Sequence, residues 1–505
     1  MNYAAFKSGT DIRGFAADGF ENEALFMSDE FIKKTALAFV DLLCKKSGKK
    51  AEEIKISVGH DSRVSAPRIK NCLFEALTSK IAQVLDCSLA STPAMFMSVV
   101  KTDADAAIQI TASHHPWERN GLKFFTVSGG LEGEDISAIL SSAENEDISF
   151  LKPDSSKIKK IDFMSEYAAD LRGMIKKGVN AEDFEHPLKG YKIIVDAGNG
   201  VGGFYANNVL APLGADTLGS QFLEPDGMFP NHIPNPENQK AMESVCAATV
   251  KSGADLGIIF DTDVDRAGCV DKNGDEINRN SLVALASAIA LDGSDGGVIV
   301  TDSVTSDGLK KFIESIGGEH YRFKRGYKNV INKQIELNKE GKYCPLAIET
   351  SGHAAFKENY YLDDGAYLIT KIIIYMAKHG GIGAIQKILS SLEQPKEALE
   401  LRFGIKCPDF KAYGQKVLDD LVTYAQKEDG WLIADDNRDG IRISLDQNHG
   451  SGWLLLRLSV HDPVMPFNAE SSIEGGNKII VGEFYEFIKD KTELDLSSIE
   501  KFLNK

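Results

Sequence analysis

Three times along this chain an apolar run ends in a turn carrying glycine or aspartate and gives way to a helical pattern. That recurrence limits the fold more than any other feature. Residues 54–58 run into Gly59-His60-Asp61, residues 191–195 into Asp196-Ala197-Gly198-Asn199-Gly200, and residues 296–300 into Thr301-Asp302-Ser303. Stretches such as 31–43 and 309–316 carry apolar residues at helical spacing. Strands alternating with helices imply α/β domains, and 505 residues suffice for three or four. The last hundred or so residues differ. Segments 440–445 and 453–458 read as neighbouring antiparallel strands, with helical patterns over Phe410–Ala425 and 481–490, so this end is expected to be α+β. Polar stretches at 152–160, 275–280 and 392–397 are candidate linkers. The expected domains are therefore 1–155, 156–278, 279–393 and 394–505.

A formal net charge of −17 argues against nucleic acid as the main partner, because phosphate backbones need a basic surface. An acidic chain that handles an anion must concentrate its cations in short motifs. Cys44, Cys72, Cys87, Cys246, Cys269, Cys344 and Cys407 form no C-x-x-C pair, which fits a reducing compartment. The N-terminus has no signal-peptide core, and the apolar run at 282–291 is too short to span a bilayer. A cytoplasmic protein without membrane association is expected.

Two segments carry most of the chemistry. Thr111-Ala112-Ser113-His114-His115-Pro116 follows an expected strand, Ala106–Ile110, and precedes residues 120–125, read as a loop carrying Lys123. A serine beside two imidazoles suits a nucleophile or a phosphate carrier. The second segment, Asp261-Thr262-Asp263-Val264-Asp265-Arg266, follows the apolar run Leu256–Phe260. Loops at the C-terminal ends of such strands are where open α/β sheets bind ligands. Three carboxylates this close repel unless a cation neutralises them, and oxygen ligands suit a hard ion such as Mg²⁺. Arg266 is no metal ligand but can hold phosphate. An EF-hand needs Gly at the sixth position and Glu at the twelfth, where this loop has Arg266 and Lys272. A phosphohydrolase with Asp261 as nucleophile fits the first two aspartates but leaves Asp265 and Arg266 unexplained.

Other segments fit a sugar phosphate. Glu349-Thr350-Ser351-Gly352-His353 offers groups for vicinal hydroxyls and a proton-exchanging imidazole. Lys324-Arg325-Gly326-Tyr327-Lys328 is a basic turn. Arg457-Leu458-Ser459-Val460-His461-Asp462-Pro463 offers an arginine, a hydroxyl and backbone amides for a phosphate. Arg13 and Arg63 each sit in a turn with a nearby aspartate, Asp11 or Asp61, and each could be a structural Asp–Arg pair.

Taken in order, these segments resemble the α-D-phosphohexomutase superfamily, the phosphomannomutase/phosphoglucomutase enzymes, along essentially the whole chain. The opening Gly9-Thr10-Asp11-Ile12-Arg13-Gly14 is similar to the family's G-T-D-x-R-G. The stretch 59–67 is similar to its G-x-D-x-R-x-S-x-P. The serine segment resembles T-A-S-H-N-P with His115 for Asn, and the acidic loop resembles D-G-D-x-D-R with Thr262 for Gly. Residues 224–236 are similar to P-D-G-x-F-P-N-H-x-P-x-P, and residues 349–353 to E-x-S-G-H.

The resemblance implies four domains around a central cleft, three related mixed α/β domains and a C-terminal α+β domain. It implies a phosphoserine at Ser113, and one Mg²⁺ held by Ser113, Asp261, Asp263 and Asp265. Arg266 would face the phosphate side, with Lys123 beside the serine loop and Lys324 in the third-domain loop. Glu349, Ser351 and His353 would grip the sugar, and Arg457, Ser459 and His461 the phosphate. The implied activity is reversible phosphoryl transfer between the 6- and 1-positions of mannose or glucose phosphate, with hexose 1,6-bisphosphate as activator. His353 and Lys123, supported by Arg13, would move protons in a monomer or homodimer. Val460 and His461 depart from the family's R-x-S-N-T-x-P, which bears on side-chain detail in that loop. Phosphoglucosamine mutase is the alternative within the family, and Thr350 where it has Gln argues mildly against it.

Overall fold

The first recurring strand, expected over 54–58, runs over Lys55–His60 at the centre of an eight-stranded mixed sheet. It pairs in parallel with Gln83–Leu89 on one side and Ala106–Ile110 on the other. Strands covered on both faces need no polar alternation, which is why Ala106–Ile110 is buried at every position. The helix expected over 31–43 spans Asp29–Ser47. Ser28 accepts the Phe31 amide at its start, and Gly48, with φ 73°, ends it.

Two readings of the sequence need correction here. Residues 120–125 are not a loop but part of the strand Arg119–Thr126, antiparallel to Ala106–Ile110 and with Lys123 opposite Gln109. Aromatic Phe124 and Phe125 favour a pleated surface, and pairing on both edges outweighs the turn signal of Asn120-Gly121. The stretch 152–160 is not wholly a linker either. Ile158–Lys160 adds to the sheet beside Gln83–Leu89, so the first sheet continues past residue 155.

A second sheet has four strands, with Leu256–Phe260 parallel to Ile193–Asp196 and antiparallel to Ala267–Asp271. The acidic loop is therefore the closed end of a hairpin, with Phe260 paired to Ala267.

The computed structural model describes residues 2–459 and 462–504. It separates into two compact units. One contains the chain up to Ile289 together with Ser351–Lys387, and the other contains Ala290–Thr350 together with the chain from Ile388 onward. The expected third domain is thus shared between them. In the second unit, Gly297–Asp302 pairs in parallel with Gly318–Phe323 and Leu346–Ile348. A five-stranded antiparallel sheet follows, containing the expected neighbours as Ile441–Leu445 and Gly452–Leu456. Phe403, Phe467 and Phe484 fill its core, the last two stacked with ring centroids 4.5 Å apart. Among the described residues no single helix is long and apolar enough to cross a membrane.

Candidate active site

The strand Ala106–Ile110 delivers Ser113 into a loop whose shape is imposed by a buried arginine. Ser113 has φ 51°, a left-handed conformation that non-glycine residues seldom adopt. Its amide donates to Thr111 Oγ1 at 2.9 Å, and Thr111 donates in turn to Asp61 at 2.7 Å. Asp61 pairs with Arg63, and both side chains are fully buried. The Arg63 guanidinium then donates to the carbonyls of Ser113, His115, Pro116 and Arg119 at 2.5, 2.6, 2.6 and 2.9 Å. The Asp–Arg turn expected at Arg63 is present, but it also clamps the serine loop. Sequence reasoning missed this because the acceptors are backbone carbonyls, which no residue letter marks.

Across from Ser113 stand the three aspartates, all buried, with carboxylate oxygens within 4.8 Å of one another. Val264 between them has φ 66°, unusual for a β-branched residue, and strain of this kind gathers at functional loops. Asp261 Oδ2 accepts from Ser113 Oγ at 3.0 Å and from Arg266 Nε at 3.1 Å, while its Oδ1 accepts from the Arg266 amide at 3.2 Å. Both oxygens are thus engaged, which disfavours Asp261 as a nucleophile. Lys123 donates to Asp263 at 3.2 Å and also to Asp265, and Thr92 donates to Asp263 at 2.5 Å. The antiparallel register opposite Gln109 brings Lys123 to the acidic loop.

These residues fit a hard divalent cation. The Oδ1 atoms of Asp263 and Asp265 are buried and accept no hydrogen bond from the described residues. Burial, followed by the charges of Asp265 and Asp263, pushes the Asp261 carboxyl well above the usual range. A cation held by the three oxygens removes that repulsion.

Arg266 spans the site. Its Nη2 donates to Ser113 Oγ at 3.3 Å and its Nη1 to Asn235 Oδ1 at 3.3 Å, with Glu237 at 3.7 Å. Burial works against a charged His353, but Asp363, at 2.5 Å from Nδ1, and Asp265 outweigh it and lift the imidazole to about 9. The neighbours of Ser113 behave oppositely. Burial, then Arg266, holds His114 far below its usual value, and burial, then Arg13, holds His115 at about 3. Both are neutral near pH 7, so neither adds charge beside the serine.

Besides Asp263 and Asp265, three expected site residues carry buried polar atoms without a hydrogen-bond partner among the described residues: Arg13 Nε, Ser351 Oγ and Arg457 Nε. Such orphans are rare and mark groups awaiting a ligand or water. Arg13, Ser351 and His353 lie in the first unit with Ser113, Lys123, Arg266 and the aspartates, whereas Lys324, Glu349, Arg457 and Ser459 lie in the second.

In the second unit, Arg457 Nη1 lies 3.5 Å from Asp439, which also accepts from Ser303 at 2.6 Å and from the Arg325 amide at 3.1 Å. Arg325 approaches Asp302 at 3.8 Å, and Lys324 is exposed. Asp302 binds the Thr350 amide and hydroxyl at 3.2 and 2.8 Å, and Glu349 accepts from the Gly326 amide at 2.6 Å. Ser459 Oγ accepts from the Asp462 amide at 3.2 Å. His461 and its neighbour Val460 lie outside the described residues. The sequence reading passed over Asp363 and Asp439, and gave Asp302 and Arg325 no role beyond their turns. Their partners lie far apart in the chain, except for the Asp363–His353 pair.

Residues 9–149, 167–274 and 278–394 match the family models described as phosphoglucomutase/phosphomannomutase, alpha/beta/alpha domains I, II and III. A phosphomannomutase/phosphoglucomutase of Pseudomonas putida is 29% identical over 432 residues, 84% of this chain and 85% of that protein. A phosphoglucomutase/phosphomannomutase of Thermococcus kodakarensis is 30% identical over 466 residues, 91% and 94% of the two chains. The crystal structure of a phosphoglucomutase/phosphomannomutase family protein from Burkholderia thailandensis superposes with TM-score 0.78 at 25% identity, covering 97% of this chain and 98% of that one. The three matched α/β/α domains show that the chain belongs to the phosphoglucomutase/phosphomannomutase family.

Proposed function

We propose that the chain moves a phosphoryl group reversibly between the 6- and 1-positions of a hexose phosphate through a phosphoserine at Ser113. Family membership makes it an isomerase of the phosphohexomutase type. The observation that carries the assignment of residues is the convergence on Ser113 Oγ of Asp261 at 3.0 Å and Arg266 at 3.3 Å, beside two more buried carboxylates and Lys123.

In the forward direction the sugar hydroxyl oxygen attacks the phosphorus on Ser113. The new P–O bond forms on the sugar as the bond to Ser113 Oγ breaks, and the hydroxyl's proton is replaced by one on the freed serine oxygen, giving a bisphosphorylated sugar and a neutral serine hydroxyl. The bisphosphate then returns its other phosphate to Ser113. Such transfers rest mainly on positioning and charge neutralisation. Asp261, Asp263 and Asp265, with Ser113, are the residues that would hold Mg²⁺. When bound, the ion supplies neutralisation at the phosphoryl oxygens. Arg266 Nη2 and the Lys123 ammonium supply fixed positive charge at the same place. Asp363 accepts from Nδ1 of the charged His353 and so orients the ring for proton transfer. Arg13, paired with Asp11 at 2.8 Å, supports His353 and Lys123 in moving protons. Glu349 and Ser351 read the hydroxyls, and Arg457, Ser459 and Lys324 bind the phosphate that is not transferred.

Hexose 1,6-bisphosphate as activator follows from the same scheme, because it can phosphorylate a bare Ser113. The family-model spans support domain divisions near 155, 278 and 393. Seven free thiols support a reducing, cytoplasmic setting. Intact-mass measurement tests the central step. Enzyme treated with glucose 1,6-bisphosphate is expected to carry one stable phosphate that is absent in Ser113→Ala, with turnover of that variant lower by orders of magnitude. A labile aspartyl phosphate, or wild-type-like activity in Ser113→Ala, would sink the proposal.

A further inference from the structure

The segment 226–237 matches a family motif, yet it supplies no group to the chemistry described above. Its contacts point elsewhere. Gly227 lies so close to the Arg63 turn that a Cβ there would sit 2.3 Å from the Ser62 carbonyl oxygen and 2.4 Å from the Val64 amide nitrogen. Two residues on, Phe229 takes φ 49°, a backbone that bulky side chains seldom adopt. In that conformation its ring lies under Arg63, with the guanidinium carbon 5.2 Å from the ring centroid. This is the guanidinium that clamps the serine loop, and a cation over an aromatic face is held there by the ring's quadrupole.

Further along, His232 Nε2 lies 3.0 Å from both oxygens of the buried Asp196, and Asn231 donates to Asn199 at 2.7 Å. These bonds tie the segment to the loop after Ile193–Asp196. Asn199 in turn donates to the Glu224 carbonyl at 2.9 Å. The segment ends on Arg266, where Asn235 Oδ1 accepts from Nη1 at 3.3 Å while Nη2 faces Ser113 Oγ. Asn235 Oδ1 also accepts the Glu237 amide at 2.9 Å, which fixes the amide group.

We propose that residues 226–237 form a strap that positions Ser113 from two sides. Phe229 acts through Arg63 on the serine loop, and Asn235 acts through Arg266 on the serine hydroxyl. The proposal rests on the reading of Ser113 as the phosphate carrier. Phe229 and Asn235 are positioning residues, and both stay clear of the reacting atoms. Their effect therefore falls on the rate of transfer rather than on capture of the sugar phosphate.

The test uses the full chain, [³²P]phosphoenzyme and glucose 1-phosphate in single-turnover transfer, with steady-state kcat and KM measured alongside. Phe229→Leu and Asn235→Ala are expected to slow transfer and kcat about tenfold to a hundredfold, since small displacements of a reacting group carry costs of that order, with KM within about twofold. Phe229→Tyr, which keeps the ring, and Asn235→Asp, which keeps the acceptor, are expected to recover most of the rate. Amide exchange across residues 111–119 is expected to rise in Phe229→Leu. Wild-type transfer rates in Phe229→Leu and Asn235→Ala, a change confined to KM, or unaltered exchange at 111–119 would overturn the strap. Ser113→Ala, run in parallel, separates the two ideas. If it is active, the phosphoserine reading fails. If it is inactive while both strap variants transfer normally, the strap alone fails.

Discussion

Replacing Arg63 with lysine tests how the serine loop is held. All five guanidinium donors of Arg63 are used: Nε on Asp61, Nη1 on the Pro116 and Arg119 carbonyls, and Nη2 on the Ser113 and His115 carbonyls. A lysine keeps the charge beside Asp61, so no buried carboxylate is stranded, but it brings three donors instead of five. At least two loop carbonyls then lose a partner. An unmet buried acceptor costs about 1–3 kcal/mol, so Arg63→Lys is expected to destabilise by about 2–6 kcal/mol. At about 2–4 °C per kcal/mol for domains of 150–250 residues, the melting temperature should fall by about 4 °C or more. Turnover should fall further than stability alone explains, by about a hundredfold, because the residue displaced is the proposed phosphate carrier. Differential scanning calorimetry, turnover of glucose 1-phosphate and amide exchange over residues 111–119 measure the three effects. A lysine variant that melts, turns over and exchanges like the wild type would refute the clamp.

Two other outcomes test separate parts of the second unit. Burial pushes the Glu470 carboxyl up to about 7, against the opposing pull of Arg442 and Trp453, so it is protonated in the folded chain where the unfolded chain has already lost the proton. Its stabilising contribution is full below the unfolded value near 4.5 and is lost as pH rises through about 7. Glu470→Gln should therefore gain on the wild type by on the order of 3 kcal/mol in urea unfolding between pH 4.5 and 8. A difference that stays level with pH would contradict this. Arg457→Ala removes a guanidinium whose Nε is unpartnered among the described residues. KM for glucose 1-phosphate should rise about tenfold to a hundredfold with the Mg²⁺ dependence unchanged, whereas an unchanged KM with lost Mg²⁺ response would overturn the phosphate-site assignment.

The chemistry of this site was legible where it is written as side chains close together in the chain. Ser113 and the three aspartates each sit at the end of a strand that could be recognised from its apolar run, so their neighbourhood followed from α/β topology. Lys123 was picked out for its charge, yet its setting was misread, because Asn120-Gly121 looks like a turn when sheet pairing on both edges is hidden. Arg63 was legible as an ion pair and illegible as a clamp, since its four further partners are carbonyls. Asp302 read only as a turn residue, and Asp439 gave no local signal at all. Their meaning lies in Thr350, Ser303 and Arg325, which only folding brings near.

Within each unit, the candidate cations other than the exposed Lys324 already have a carboxylate beside them. Lys123 has Asp263 and Asp265, Arg266 has Asp261, Arg13 has Asp11, Arg325 has Asp302, and Arg457 has Asp439. On a chain of net charge −17, these pairs cancel at a distance and act only at contact. An arriving hexose phosphate thus meets little attraction beyond about one Debye length, roughly 8 Å at physiological salt. Capture is an exchange of one anion for another at short range, not electrostatic steering. Added salt should leave the association rate level or raise it, because what it screens is the repulsion between an acidic protein and an acidic substrate.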